Sequence, residues 1–327
     1  MSVKETNFIY DGLQMRLLIE KPLIIIIGPT AVGKTEVSIN LAEDLNGEII
    51  SADSRLFYRG MNIGTAKPSS ADQNRVRHFL IDVADIDETW SLAIFQEAVY
   101  QIADEIRARG KVPFMVGGTG QYVRAIIEGW QIPPQEPNSK LREKIQLWGY
   151  KIGSEKLYEK LLILDPVAAE NIDSRNMRRI IRALEVIFST GRLFSVQRDR
   201  KPIDFQYKLI GLIRDRKELY QRIDERIENM FRAGFREEVQ TILDSGFERN
   251  LPSLSAIGYK EVIALLHNEI DQEEAIRLIK RRTRQYVRRQ ANWFKESDPK
   301  IKWFKIKPGV NEVIKSFVLS SEGWQHE

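Results

Sequence analysis

Eight consecutive residues, Gly28, Pro29, Thr30, Ala31, Val32, Gly33, Lys34 and Thr35, match the phosphate-binding loop pattern GxxxxGK[ST]. Glycines at both ends let backbone N–H groups turn inward around an anion at a helix start. Lys34 adds a full positive charge, and the Thr35 hydroxyl suits Mg²⁺. The loop selects phosphate without selecting a reaction. An ATPase or GTPase carries an acidic magnesium ligand after a further apolar strand. Here the run Lys111–Gly117 leads instead into Gly117-Gly-Thr-Gly120, which has no carboxylate. Asp53 is the acid at a strand end facing the loop, and it has two readings. One is a turn or N-cap residue; the other is a general base or substrate-orienting carboxylate beside a bound phosphate. Gly117 to Tyr122 is likewise either a plain strand-to-helix turn or a place where a second substrate approaches the Thr119 hydroxyl.

These residues need a frame that brings strand ends together. Lys21 to Gly28 is a continuous β-branched run, as in a strand buried on both faces of a parallel sheet. A helix is predicted from Lys34 to about Leu45, a strand over Gly47–Asp53, a helix over Leu92–Arg109 ending at Gly110, and strands over Lys111–Gly117 and Tyr207–Ile213. Alternation of this kind predicts an α/β fold with a P-loop-type parallel sheet core. Ligands of such sheets sit beyond the carboxyl ends of the strands.

The texture changes near Trp130, where Ile132 to Pro137 reads as a proline-rich linker. The charged helical pattern that follows predicts an inserted helical domain over 136–205. The core then comprises 21–135 and 206–327, preceded by an extension over 1–20. The basic runs Arg178 to Arg182 and Lys280 to Arg289 suit solvated helix faces. Tyr286, Trp293 and Phe294 tilt the second run toward RNA, through stacking and charge.

Composition narrows the chemistry. Lys plus Arg number 50 against 46 Asp plus Glu, so the net charge of +4 permits a nucleic-acid partner without demanding one. With Cys at 0, disulfides, iron–sulfur clusters and thiol nucleophiles are excluded, and only 3 His argue against a histidine metal cage. Met1 to Lys21 lacks the apolar run of a secretory signal, and Leu23–Ile27 is too short to span a bilayer. A cytosolic protein without a membrane partner is therefore expected.

Taken together, GPTAVGKT (28–35), DSRLFYRGMNIGTAKP (53–68), GGTGQY (117–122), RRIIRALEV (178–186) and AIGYKE (256–261) resemble the tRNA dimethylallyltransferase family of bacterial type, over about Lys21 to Phe294. The resemblance implies transfer of a dimethylallyl group from dimethylallyl diphosphate to the exocyclic amine of the adenine 3′-adjacent to the tRNA anticodon. It implies diphosphate on Gly28 to Thr35, Mg²⁺ at Thr35, and a monomer acting on tRNA. It carries Asp53 over as the base, Lys34 as the charge on the leaving group, and Thr119 and Arg142 as contacts to the diphosphate or the flipped base. Asp53, Ser54, Arg55 and Leu56, with Arg178, Arg179, Ile180, Ile181 and Arg182, are carried over as tRNA contacts. Leu56 stands where many members have Gln, and Gln121 where the usual motif has Leu. Two readings compete with this one: a small-molecule or nucleotide kinase with a helical lid, and a non-catalytic RNA-binding P-loop protein.

Overall fold

The computed structural model describes residues 22–132, 138–196 and 200–325. The extension over 1–20 and most of the proline-rich linker lie outside the described residues. Two compact units are present: Met1–Ile127 with Ile203–Glu327, and Glu128–Pro202.

In the first unit, β1 (Pro22–Ile27) is buried at every position, as its isoleucine run requires. Then come α1 (Lys34–Asp44), β2 (Gly47–Ser51), α2 (Ser70–Arg75), β3 (His78–Phe79), α3 (Leu92–Ala108), β4 (Val112–Gly117) and α4 (Gly120–Ile127). In the second unit, α5 (Ser139–Ile152), α6 (Ser154–Leu164), α7 (Pro166–Glu170) and α8 (Met177–Thr190) follow. The chain returns to the first unit with β5 (Gln206–Ile213), α9 (Arg216–Arg232), α10 (Phe235–Asp244), α11 (Tyr259–Leu266), α12 (Gln272–Gln290), β6 (Ile301–Lys305) and α13 (Val310–Leu319).

The six strands form one sheet in the order β3-β2-β4-β1-β5-β6, and every pairing is parallel. The carboxyl ends of β1, β2 and β4 therefore share one edge, which carries the phosphate loop, Asp53 and the Thr119 turn. β3 and β6 escape sequence reading. The first has two residues, and the second, at the sheet margin, buries Ile301 and Phe304 but exposes Lys302 and Lys305, which is not the two-residue period of a strand.

The helical unit has its own core, in which Leu157, Leu161, Ile180 and Leu184 are fully buried. Asn176 caps α8 by accepting the Arg179 N–H, and Asp165 caps α7 by accepting the Ala168 N–H.

One buried charge braces the sheet. Lys208, on β5, is fully buried, and its Nζ donates to the carbonyls of Phe317, Val318 and Ser320 at 2.5, 3.0 and 2.8 Å. The ammonium thereby closes the C-terminal end of α13, where helix carbonyls lack N–H partners. It also lies 4.7 and 4.5 Å from the ring centroids of Phe317 and Trp324. Lys208→Met keeps the aliphatic stem but strands the Val318 and Ser320 carbonyls, at about 1–3 kcal/mol for each one left unpaired, while Phe317 O keeps the Ser320 N–H and hydroxyl. Thermal unfolding of that variant should show a midpoint lowered by roughly 5–10 °C. An unchanged midpoint would mean that solvent replaces the ammonium.

Candidate active site

The phosphate loop leaves β1 and enters α1 through left-handed backbone at Ala31 (φ 64) and Gly33 (φ 112). Glycine takes that conformation freely at 33, whereas Ala31 carries some strain. Lys34 Nζ donates to the carbonyls of Gly28 and Pro29, both at 2.9 Å. Arg222 Nε donates to Ala31 O at 3.0 Å and Arg214 Nε to Val32 O at 3.1 Å. Cations thus hold the loop carbonyls, while the first-turn amides of α1, without intrahelical acceptors, adjoin the cleft lined by Lys34, Thr35 and Glu36.

That cleft has a volume of about 990 Å³ and lies at the strand carboxyl ends of the first unit. Thr30, Ala31, Gly33, Lys34 and Thr35 line it, together with Asp53, Leu56, Gly117, Arg222 and Arg226. Apolar wall comes from Ile63, Val116 and Met230. Burial pulls the Lys34 ammonium down to about 8; the Asp53 carboxylate opposes the shift and the Arg226 guanidinium adds to it. Arg226 is itself lowered by burial, against the pull of Asp53. Lys34, Arg222 and Arg226 gather around the phosphate-loop end of the cleft with Asp53 beside them, which suits a multiply charged anion, while Glu36, Asp82 and Glu225 also line its walls.

Asp53 makes the local contact of a turn residue, accepting the Arg55 N–H on Oδ1 at 3.0 Å. It also lines the cleft beside Lys34 and Arg226, so the turn contact does not take it out of the site. Arg55 is occupied elsewhere: Nη1 donates to the carbonyls of Pro252 and Ser253 at 3.2 and 3.1 Å. Its guanidinium braces a loop, and Leu56 turns into the cleft. Ser54 is half-buried beside them.

The glycines after β4 have a packing explanation. A Cβ at Gly117 would lie 2.3 Å from Ala52 O, at Gly118 2.3 Å from Gln290 Nε2, and at Gly120 2.2 Å from Trp293 Cγ. Close approach by the protein itself accounts for the motif, without a substrate. Thr119, between them, shares a side-chain hydrogen bond with Tyr286, whose hydroxyl is pushed up by burial and then by Asp53. Tyr286 therefore stays protonated beside the carboxylate.

The remaining expected residues fall in the helical unit. Arg142 donates through Nε and Nη2 to Glu185 Oε2 at 3.0 and 2.8 Å. Arg182 Nη1 meets the same oxygen at 3.1 Å. Arg178 and Arg179 are exposed. Ile180 and Ile181 are corrected: at 0% and 6% exposure they are core residues, because the helical period turns them inward while Arg178 and Arg179 face out.

The basic run of α12 is partly spent inside the first unit. Lys280 pairs with Glu228 at 2.7 Å, and Arg282 and Arg284 pair with Glu261 and Asp224. Arg281, Arg288 and Arg289 stay exposed. Phe294 is buried and unavailable for stacking. Sequence reading missed Arg222, Arg226 and Gln290. The four-residue spacing of the two arginines, on one face of α9, was the available signal.

Among the described residues, no group of three His, Cys, Asp or Glu side chains is placed to hold a metal. The Thr35 hydroxyl with phosphate and water oxygens is the donor set on offer, and all-oxygen donors suit Mg²⁺. No helix among the described residues is long and apolar enough to cross a membrane.

The family model described as IPP transferase matches residues 56–297. A tRNA dimethylallyltransferase of Thermomicrobium roseum is 42% identical over 302 residues, 92% of each chain. One from a Roseiflexus species is 46% identical over 274 residues, 84% of this chain and 90% of that relative. The full-length tRNA isopentenylpyrophosphate transferase of Bacillus halodurans superposes with a TM-score of 0.67 at 38% identity, covering 91% of this chain and 95% of that one. A eukaryotic dimethylallyltransferase solved acting on tRNA superposes with a TM-score of 0.73 at 25% identity, covering 87% and 73% of the two chains.

Proposed function

The chain belongs to the IPP transferase family, and from that premise we propose that its cleft transfers a dimethylallyl group from dimethylallyl diphosphate to tRNA. The acceptor is the exocyclic amine of the adenine 3′-adjacent to the anticodon, and the by-product is diphosphate. The observation that carries this reading is the common cleft of Lys34, Arg222, Arg226 and Asp53. It offers cations for a departing diphosphate and one carboxylate for the incoming amine.

The allylic C–O bond breaks with its electron pair leaving on the diphosphate, while the adenine nitrogen forms the new bond to carbon. Allylic delocalisation spreads the positive charge, so the main task is to stabilise the leaving group. Loop amides, Lys34, Arg222 and Arg226 do this by fixed electrostatics. The Thr35 hydroxyl would hold Mg²⁺, which would supply further neutralisation of the diphosphate. Asp53 orients the amine and takes its proton, and Thr119, tied to Tyr286, lines the approach. An adenine stacked in an anticodon loop cannot reach a buried diphosphate, so it must be flipped out. The exposed Arg178 and Arg179 suit phosphate contacts, as do Arg281, Arg288 and Arg289.

A product assay tests the reading. Incubation with tRNA and dimethylallyl diphosphate should yield prenylated adenosine by nucleoside mass spectrometry. Phosphorylation of a small molecule by ATP would favour a kinase, and neither product a non-catalytic RNA binder.

The RNA-facing arginines have their own test. Replacing Arg178 and Arg179 together by Ala should flatten the slope of log affinity for tRNA against log salt by about one for each phosphate no longer neutralised. An unchanged slope and affinity would assign both arginines to solvent.

A further inference from the structure

We propose that Gln290 is a positioning residue whose buried amide locks the phosphate loop to the Thr119 turn and so sets the gap between donor and acceptor. This deepens the prenyl-transfer reading and rests on it. Gln290 ends α12 and is 8% exposed. Its Oε1 accepts the Thr30 N–H at 3.0 Å, and its Nε2 donates to Gly118 O at 2.9 Å. The partners lie 260 and 172 residues away in sequence, one in each of the two loops that flank the reacting centre.

Packing alone does not explain this amide. An apolar side chain of the same length would fill the space but leave the buried Gly118 carbonyl and the part-buried Thr30 N–H without this partner. Glutamine supplies one acceptor and one donor on a single planar group, the minimum needed to pair a backbone N–H in one loop with a carbonyl in the other. Gly118 is fitted to it: a Cβ there would stand 2.3 Å from Nε2 and 3.1 Å from Gly28 O. Thr30 N–H, engaged by Gln290, is withheld from the anion, which leaves the diphosphate to the amides that follow.

Bond formation requires the reacting atoms about 3–3.5 Å apart and aligned, and a misplacement near 1 Å costs on the order of 10² in rate. Diphosphate is fixed by the loop of Thr30, and the acceptor approaches beside Thr119, the neighbour of Gly118. Gln290 holds the spacing between those two loops. It touches neither substrate.

The test uses the full chain with Gln290→Met, which keeps length and loses both hydrogen bonds, and Gln290→Glu, which keeps the acceptor and loses the donor. Single-turnover prenylation at saturating dimethylallyl diphosphate and tRNA should fall about 10–100-fold in Gln290→Met, with the tRNA dissociation constant unchanged and the unfolding midpoint nearly so. Gln290→Glu should fall as well, because a carboxylate cannot donate to Gly118 O. Gly118→Ala should reproduce the loss by displacing the amide, and the double variant Gly118→Ala/Gln290→Met should be no slower than the worse single one. Rates for Gln290→Met within about threefold of wild type would overturn the proposal, as would additive losses in the double variant. If Gln290→Met fails to fold, Gln290→Glu and Gly118→Ala carry the test; if none of the three folds, the role is structural and the proposal falls. A wild-type chain that does not prenylate tRNA overturns the functional reading itself, and this proposal with it.

Discussion

Asp53→Asn is expected to bind diphosphate as the wild type does, yet to prenylate tRNA roughly 10²–10⁴-fold more slowly in a single turnover. The adenine amine is a poor nucleophile because its lone pair is delocalised into the ring. A carboxylate accepting one amine N–H fixes the direction of attack and receives the proton as the carbon–nitrogen bond forms. Asparagine preserves the side-chain shape and can still accept the Arg55 N–H, so the turn survives while the base is lost. On the proposed reading, diphosphate capture rests on the loop, Lys34, Arg222 and Arg226. The loss should therefore appear in the chemical step and leave donor affinity nearly intact. A rate within about threefold of wild type would reduce Asp53 to its turn role.

Lys34→Ala should lower the transfer rate by about 10²–10³, the usual effect of removing one donor aimed at developing negative charge. Donor affinity should fall with it, since the same ammonium faces the diphosphate before and after departure. The wild type should show a related dependence on pH. With its free-state ammonium pulled down to about 8, Lys34 is charged below that pH and neutral above it. Capture of dimethylallyl diphosphate should weaken as pH rises through that region, and binding there should take up a proton. In Lys34→Ala this component of the pH profile should vanish. Its persistence would assign the titration to another group.

The parts of this site written in consecutive residues were legible from sequence. The phosphate loop, Asp53 after β2 and Gly117–Gly120 after β4 are each local signals, and a parallel sheet brings its strand ends to one edge. What escaped was assembled across the chain. Arg222 reaches Ala31 over 191 residues, and Gln290 reaches Thr30 over 260. The four-residue spacing of Arg222 and Arg226 marks a shared helix face without saying what it meets, and nothing local sets Gln290 apart from a surface side chain. The basic run of α12 was only half legible for the same reason: Lys280, Arg282 and Arg284 are paired with Glu228, Glu261 and Asp224 on α9 and α11, which the run itself does not show. Ile180 and Ile181 were grouped with arginines that are contiguous in sequence but face another way.

The sheet order also bears on how the chain is made. β1, with isoleucine at its last four positions, is completed on one side by β5, with Ile24 opposite Lys208. Those strands are separated by roughly 180 residues, so their pairing is among the least local in the fold. At a synthesis rate of about 5–20 residues per second, an interval on the order of 10–40 s passes between emergence of the two strands. Throughout it, β1 presents an unpaired, uncharged, β-branched edge, the composition most prone to join a neighbouring nascent chain. The second unit emerges during that interval with a core drawn from its own residues, so it can fold while the sheet waits. The order of the strands thus makes the nascent chain, more than the finished enzyme, the stage at which aggregation is decided.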